Sequence, residues 1–547
     1  MSFAITPEQA HEKRWWTLGA LCLALSIIGI DNTILNVALP KIVESVHAEG
    51  SQLQWIVDAY VIVFACLLLS AGTLGDKLGR KKTLLAGLAV FGLFSGLAAT
   101  ASTANGLIAF RALMGIGGAL IFPSTLSVIT NTFTGVERAK AIGIWAGVSG
   151  LGIAIGPLAG GLLVEHFFWG SVFLVNVPIV IIALVACYLV VPDSRDDADA
   201  HLDPVGALLS IVGLAALLYG IIEAPAEGWT DTKVLVGFAV GLAFGVGFFM
   251  WERRATHPML DVTFFGDARF TAASATITLT FFALFGSTFL LTQYFQFVLG
   301  YSPFKSGMLT APVAIGIMIA GPYAPRIVQR IGTKYTVMIG LFIVTGVLMS
   351  YASETLMSSV LWGSVVRFAF GLGMGTVMAP ATESIMASLP LNKAGVGSAV
   401  NDTTRQAGGA LGVAVIGSIF AARYHGLITP PKGLPHVADA AIRDSIGKAL
   451  YVAADRRVPA PLARQIEYAA SRAFVGGMQL AVFVGAAICL LAVGLAWRYL
   501  PMRTMNAEQA AAEAALLAER EHRGTPATEY PVPVLSREHR DQDATFA

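Results

Sequence analysis

The chain has 547 residues, 55% of them hydrophobic and only 13% charged, and its mean hydropathy is +0.69. That balance excludes a soluble globular protein, and a net charge of +1 offers no basic face for nucleic acid. The four cysteines, Cys22, Cys66, Cys187 and Cys489, lie inside apolar runs without metal-ligand spacing. They read as packing residues, with neither a disulfide framework nor a metal site.

Apolar runs of ~18–28 residues recur, each long enough to cross a ~30 Å hydrocarbon core. Fourteen crossings are predicted, at about 16–39, 52–74, 84–104, 106–131, 139–163, 170–191, 205–225, 233–251, 270–298, 304–328, 335–353, 358–388, 394–422 and 474–499. The first run is too long for a cleavable signal peptide and leads straight into Pro40. Alternate connectors are basic, including Lys77 with Arg80, Lys81 and Lys82, then Arg138 with Lys140, and Arg253 with Arg254. The positive-inside rule therefore places both termini in the cytoplasm of a multi-pass inner-membrane protein.

The predicted organisation is a cytoplasmic segment (1–15), a six-helix bundle (16–191), a linker (192–204) and two inserted helices (205–251). A second linker (252–269) and a second six-helix bundle (270–499) follow, then a cytoplasmic tail (500–547). Residues 423–473 form an outer loop with a helical segment at 436–451, read as a spacer. The tail begins with a helix at 507–523 and becomes polar and Pro-containing, a composition of partial disorder.

Asp31 stands deep in the first crossing, where a charge costs about 2.5–3.5 kcal/mol and normally faces a polar cavity. It is either a proton or cation site, or a hydrogen-bonded structural acid. With a rise of ~1.5 Å per residue, Asp31 lies ~12 Å, Asp58 ~9 Å and Arg111 ~8 Å below the same surface. Such a cluster can hold a proton near neutral pH and exchange it for a cationic ligand, or it can be an Asp–Arg pair that locks three helices. Trp55, one helical turn before Asp58, offers a cation–π face or serves as an interfacial anchor.

The fifth crossing carries Gly152, Gly156 and Gly160 at four-residue spacing, with Pro157 and Gly161 alongside. Small residues at that spacing admit a neighbouring helix, and the proline bends the axis. Two stretches recur at offsets of about 255 residues: Leu78-Gly79-Arg80 through Gly87 returns as Ile331-Gly332-Thr333 through Gly340, and Arg111 through Gly117 returns as Arg367 through Gly373. Two homologous six-helix halves follow, an arrangement that builds a central cavity at the midplane.

These residues together resemble the major facilitator superfamily. Gly72-Thr-Leu-Gly75-Asp76-Lys77-Leu78-Gly79-Arg80-Lys81 is similar to its signature loop, and the glycine–proline motif of the fifth crossing to that of its exporters. The stretch from Asp31 to Pro40 resembles the first-helix motif of fourteen-helix drug:proton antiporters. Further matches are His257 to Asp261, Gln296 to Ser302 and Asn401 to Ala410. The resemblance implies an all-α major facilitator fold of two six-helix repeats plus two inserted helices. It implies proton-driven export by alternating access, with Arg111 as the coupling arginine. Asp76 would lock the outward-open state, with Arg80 and Arg138 nearby. The tenth run has no carboxylate, which speaks against divalent substrates.

In the second half, Gln293, Gln296, Arg367, Glu383, Asp402 and Arg405 lie in predicted crossings. The two glutamines are cavity-lining candidates or interhelical pairs, and Glu383 and Asp402 fall where gates or helix-end pairs form. The expectation is a monomeric secondary transporter without cofactor, driven by the proton gradient, that exports amphipathic, often cationic drugs or antibiotics. An uptake symporter, a dedicated exporter of an endogenous lipid or metabolite, and a membrane sensor or scaffold are the alternatives. No catalytic constellation of an intramembrane enzyme occurs.

Overall fold

Helix starts are written into the sequence by short polar residues whose side chains accept from the first free amides. Thr103 accepts from the Gly106 amide, Asp203 from Gly206, Asp231 from Lys233 and Asp267 from Arg269. The computed structural model describes residues 12–46, 50–194, 203–255, 258, 260–353, 360–389, 393–431 and 434–502. The described residues belong to one unit ending at Met502. The expected tail helix lies outside them, as does part of the match from His257 to Asp261.

The long helices are α1 (Arg14–Val46), α2 (Gly50–Leu78), α3 (Arg80–Ala98), α4 (Ala104–Thr132) and α5 (Gly135–His166). A short turn, Ser171–Leu174, leads into α6 (Asn176–Val190), followed by α7 (Pro204–Glu227) and α8 (Thr232–Glu252). Next comes α9 (Ala268–Gln293), which ends in a π-helical turn, Tyr294–Val298. The helix Pro303–Tyr351 breaks at Gly332 (φ 84°, ψ 166°) into α10 (303–331) and α11 (333–351). Last are α12 (Val360–Ala387), α13 (Ala394–Leu427) and α14 (Ala460–Tyr499). Among the described residues, 12 helices are long and apolar enough to cross a membrane, with α10 and α11 taken together and α5 not among them.

The sequence repeat has a geometric counterpart. Gly79 (φ 105°) and Gly332 (φ 84°) both occupy the left-handed half of φ space, which only glycine enters at little cost. Each carbonyl accepts from a threonine hydroxyl one turn later, Thr83 at 3.1 Å and Thr336 at 2.7 Å. Gly87 and Gly117 then bring α3 and α4 together backbone to backbone, as Gly340 and Gly373 do for α11 and α12. In a bilayer, apolar surface alone gives helices little reason to associate, so such small-residue crossings carry the packing.

Within the halves α1 packs on α5, α2 on α4, α9 on α13 and α10 on α12. Between them α5 packs on α10, where Gly143 meets Gly321, and α2 packs on α13. The inserted helices α7 and α8 pack on each other, and α7 also touches α2 and α13. Between α13 and α14 the expected segment 436–451 is split into helices His436–Asp444 and Ile446–Ala454. Ser445, extended at φ −161°, ends the first and caps the second. Ile442, Ile446, Ala449 and Ala453 are buried, so this outer piece is folded.

Candidate functional site

Gly29 on α1 lies against Gly152 on α5, and a Cβ on Gly156 would sit 2.9 Å from the Ile30 carbonyl. Gly160 is buried and Gly161 faces Phe304 of α10; Pro157 lies within the helix. The glycine motif is thus the α1–α5 crossing, and it fixes the segment of α1 that carries Asp31.

Asp31 is fully buried and accepts from Arg111 Nη1 on α4 at 2.6 Å. Its other oxygen accepts from Asn176 Nδ2 on α6 at 3.2 Å, and the same amide donates to Ser95 Oγ on α3. Arg111, 1% exposed, also donates Nε to the Ile56 carbonyl of α2 and stacks 4.3 Å from the Tyr60 ring. One ion pair therefore joins α1, α2, α4 and α6. Removing either charge would leave the other buried and uncompensated, a penalty of about 3–5 kcal/mol.

Asn176 and Ser95 were not singled out by sequence reasoning. The signal for Asn176 was present: a lone amide inside the apolar stretch Val172–Val180. Asp58 is half-buried, in contrast to Asp31. Trp55, 37% exposed, stacks on Tyr219 of α7 with centroids 6.2 Å apart.

At the opposite ends of these helices the signature loop meets the second half. Asp76 accepts from Arg80 Nε and Nη2 at 2.9 and 2.7 Å, and from the Gly395 and Val396 amides that open α13. An anion at a helix N-terminus satisfies free amides and opposes the helix dipole favourably. Asp76 and Arg80 are 4% and 2% exposed. Gly72 allows the contact, because a Cβ there would lie 2.5 Å from the Gly395 carbonyl oxygen. Arg138 does not join Asp76. Its Nε and Nη2 both donate to Glu383 Oε1 of α12, at 3.0 and 2.7 Å, forming a second bridge between the halves.

Deeper in the second half, Arg405 is 4% exposed and donates Nη2 to Thr382 Oγ1 at 2.9 Å. Its plane lies between Trp145 of α5 (4.8 Å) and Phe281 of α9 (5.2 Å), while Nε and Nη1 have no hydrogen-bond acceptor. Asp402, on the same helix, accepts from Asn401 and Ser398. Arg367 donates to Ser364 and stacks on Phe295. It lines a mostly apolar cavity with Gly150, Thr288, Thr310, Tyr351 and Phe370. Gln293 and Gln296 are half-buried at the end of α9 and in the π-turn, and neither lines that cavity.

The family model described as Major Facilitator Superfamily matches residues 21–413. The multidrug efflux pump LfrA of Mycolicibacterium smegmatis is 38% identical over 500 residues, covering 90% of this chain and 97% of that pump. The tetracenomycin C resistance and export protein of Streptomyces glaucescens is 33% identical, covering 90% and 93% respectively. Among solved structures, the human organic anion transporter MFSD10 aligns with a TM-score of 0.58 at 12% identity, covering 88% of this chain and 99% of that one. The last likeness concerns the fold alone.

Proposed function

The chain belongs to the major facilitator superfamily, and from that premise we propose a proton-coupled antiporter that exports amphipathic, often cationic drugs or antibiotics by alternating access. The buried Asp31–Arg111 bridge carries this reading. A proton on Asp31 cancels the charge that compensates Arg111, so the four helices joined there must repack or admit a new charge. A cationic substrate drawn toward half-buried Asp58 competes for the same field. Proton and drug are then alternative partners of one site, which is the requirement for exchange.

The reading includes fourteen crossings: breaking the long helix at Gly332 adds one to the twelve apolar helices, and α5 adds another. The Gly79 face is cytoplasmic, with both termini, by the distribution of basic connectors. Asp76 on the α13 amides and Arg138 on Glu383 then seal the cytoplasmic side, and the state described is outward-facing. The halves 16–191 and 270–499 rock about the site, with 205–251 inserted. The chain acts as a monomer without cofactor, on small molecules and protons.

Everted vesicles containing the Asp31→Asn protein test this. Loss of drug-dependent proton release with normal protein levels is expected, and full antiport in that variant would overturn the role given to Asp31. The direction of proton flux on adding drug separates export from uptake symport. A panel of drugs in an efflux-deficient host names the substrates.

A further inference from the structure

α2 of the first half and α13 of the second touch directly near their cytoplasmic ends, where Gly72 meets Gly395 and Ala399. Toward the outer side α7 makes contact with both helices. Trp55 of α2, about 25 Å from Gly72 along the helix, stacks on Tyr219 of α7 at 6.2 Å and 28°. Trp229, one residue beyond the positive-φ turn at Gly228 (φ 104°), donates Nε1 to Ser418 Oγ of α13 at 2.8 Å. Ser418 lies about 35 Å from Gly395 along α13. The two helices therefore touch at one end and each is held by the inserted hairpin at the other. The hairpin is a stiff unit: Gly237 and Gly241 bring α8 close to the α7 backbone, and Trp229 stacks on Phe238 of α8 at 6.1 Å.

We propose that α7 is a wedge in the outward-facing gap between α2 and α13, and that Tyr219 and Trp229 are positioning residues of the transport cycle. Closing the outer mouth draws α2 and α13 together, so the hairpin must release Trp55 or Ser418 on every turnover. The inserted helices then set the balance between outward- and inward-facing states through α2 and α13 instead of through the Asp31–Arg111 pair. This rests on the alternating-access reading above.

The test uses full-length protein in proteoliposomes, with Cys22, Cys66, Cys187 and Cys489 replaced by serine or alanine. Trp55→Cys with Tyr219→Cys, and Trp229→Cys with Ser418→Cys, place a crosslinkable pair at each end of the wedge. With both pairs joined by a short cleavable crosslinker, drug efflux should fall about tenfold or more relative to the same protein uncrosslinked, and return on cleavage. Unchanged efflux with both crosslinks formed overturns the wedge. A second variant works in the opposite sense and reports conformation instead of transport. Tyr219→Ala with Trp229→Phe should raise cytoplasmic alkylation of an Ala399→Cys reporter by about tenfold, because the outward-facing state loses a ring contact and a hydrogen bond. Unchanged alkylation also overturns the proposal. A parent protein that exchanges no protons for drug would instead fail the antiport reading, so the two failures are distinguishable.

Discussion

Two of the buried arginines, Arg111 in the first half and Arg405 in the second, have different surroundings. Arg111 in α4 faces a carboxylate at 2.6 Å, with a backbone carbonyl and a tyrosine ring completing its shell. Arg405 in α13 has one threonine hydroxyl and two aromatic faces, and two of its nitrogens lack an acceptor. The first arrangement depends on a direct ion pair: among the described residues Asp31 is the one carboxylate bridged to Arg111. The second adds two ring faces to the field of the Asp402 carboxylate, which acts on Arg405 from the same helix. The proposed coupling role rests on the first-half pair, while in the second half Arg405 of α13 stacks on Trp145 of α5.

Removing the switch is the strongest way to break this contrast. Asp31→Asn leaves Arg111 without its counter-charge, so proton-coupled efflux should drop by about 100-fold or more, measured as drug-driven proton flux in everted vesicles. Asp76→Asn touches the seal instead of the switch. It keeps the shape but removes the charge from the α13 amides, and about tenfold slower efflux is expected, with increased cytoplasmic access to the cleft in alkylation assays. Arg405→Lys keeps the second-half charge but loses the planar stack, so efflux should fall only about threefold to tenfold. A loss as large as that of Asp31→Asn would erase the distinction between the halves. Arg138→Ala should cost about twofold to fivefold, the scale of a half-buried ion pair, and the swap Arg138→Glu with Glu383→Arg should recover much of the loss.

The membrane class, most crossings and the twofold repeat were legible in the sequence because each rests on local signals: apolar run length, cap residues and glycines at fixed offsets. The depth estimate put Asp31, Asp58 and Arg111 at one level, since helix rise fixes depth, and the structure pairs Asp31 with Arg111. Partner choice was less legible. Asp58 matches Asp31 in depth but is half-buried where Asp31 is sealed, a difference set by helix rotation and tilt. Arg138 faces Glu383, 245 residues away, and not the neighbouring motif acid, because the approach of α5 to α12 is decided by packing between the halves. Trp55 meets a tyrosine of an inserted helix, which no periodicity within α2 announces.

The length of α14 has a mechanical consequence. Its 40 residues make a rod of about 60 Å, roughly twice the hydrocarbon thickness. The helix Ile446–Ala454 packs on this rod and on the π-turn that ends α9. This piece is thus bolted to the second half and tilts with it. Residues 460–473 of α14, outside the expected crossing 474–499, form an arm of ~21 Å, and a rotation of about 15° moves its tip by ~5 Å. A fluorophore on exposed Tyr451, in the helix packed against that arm, would let single-molecule distance measurements follow the motion in real time.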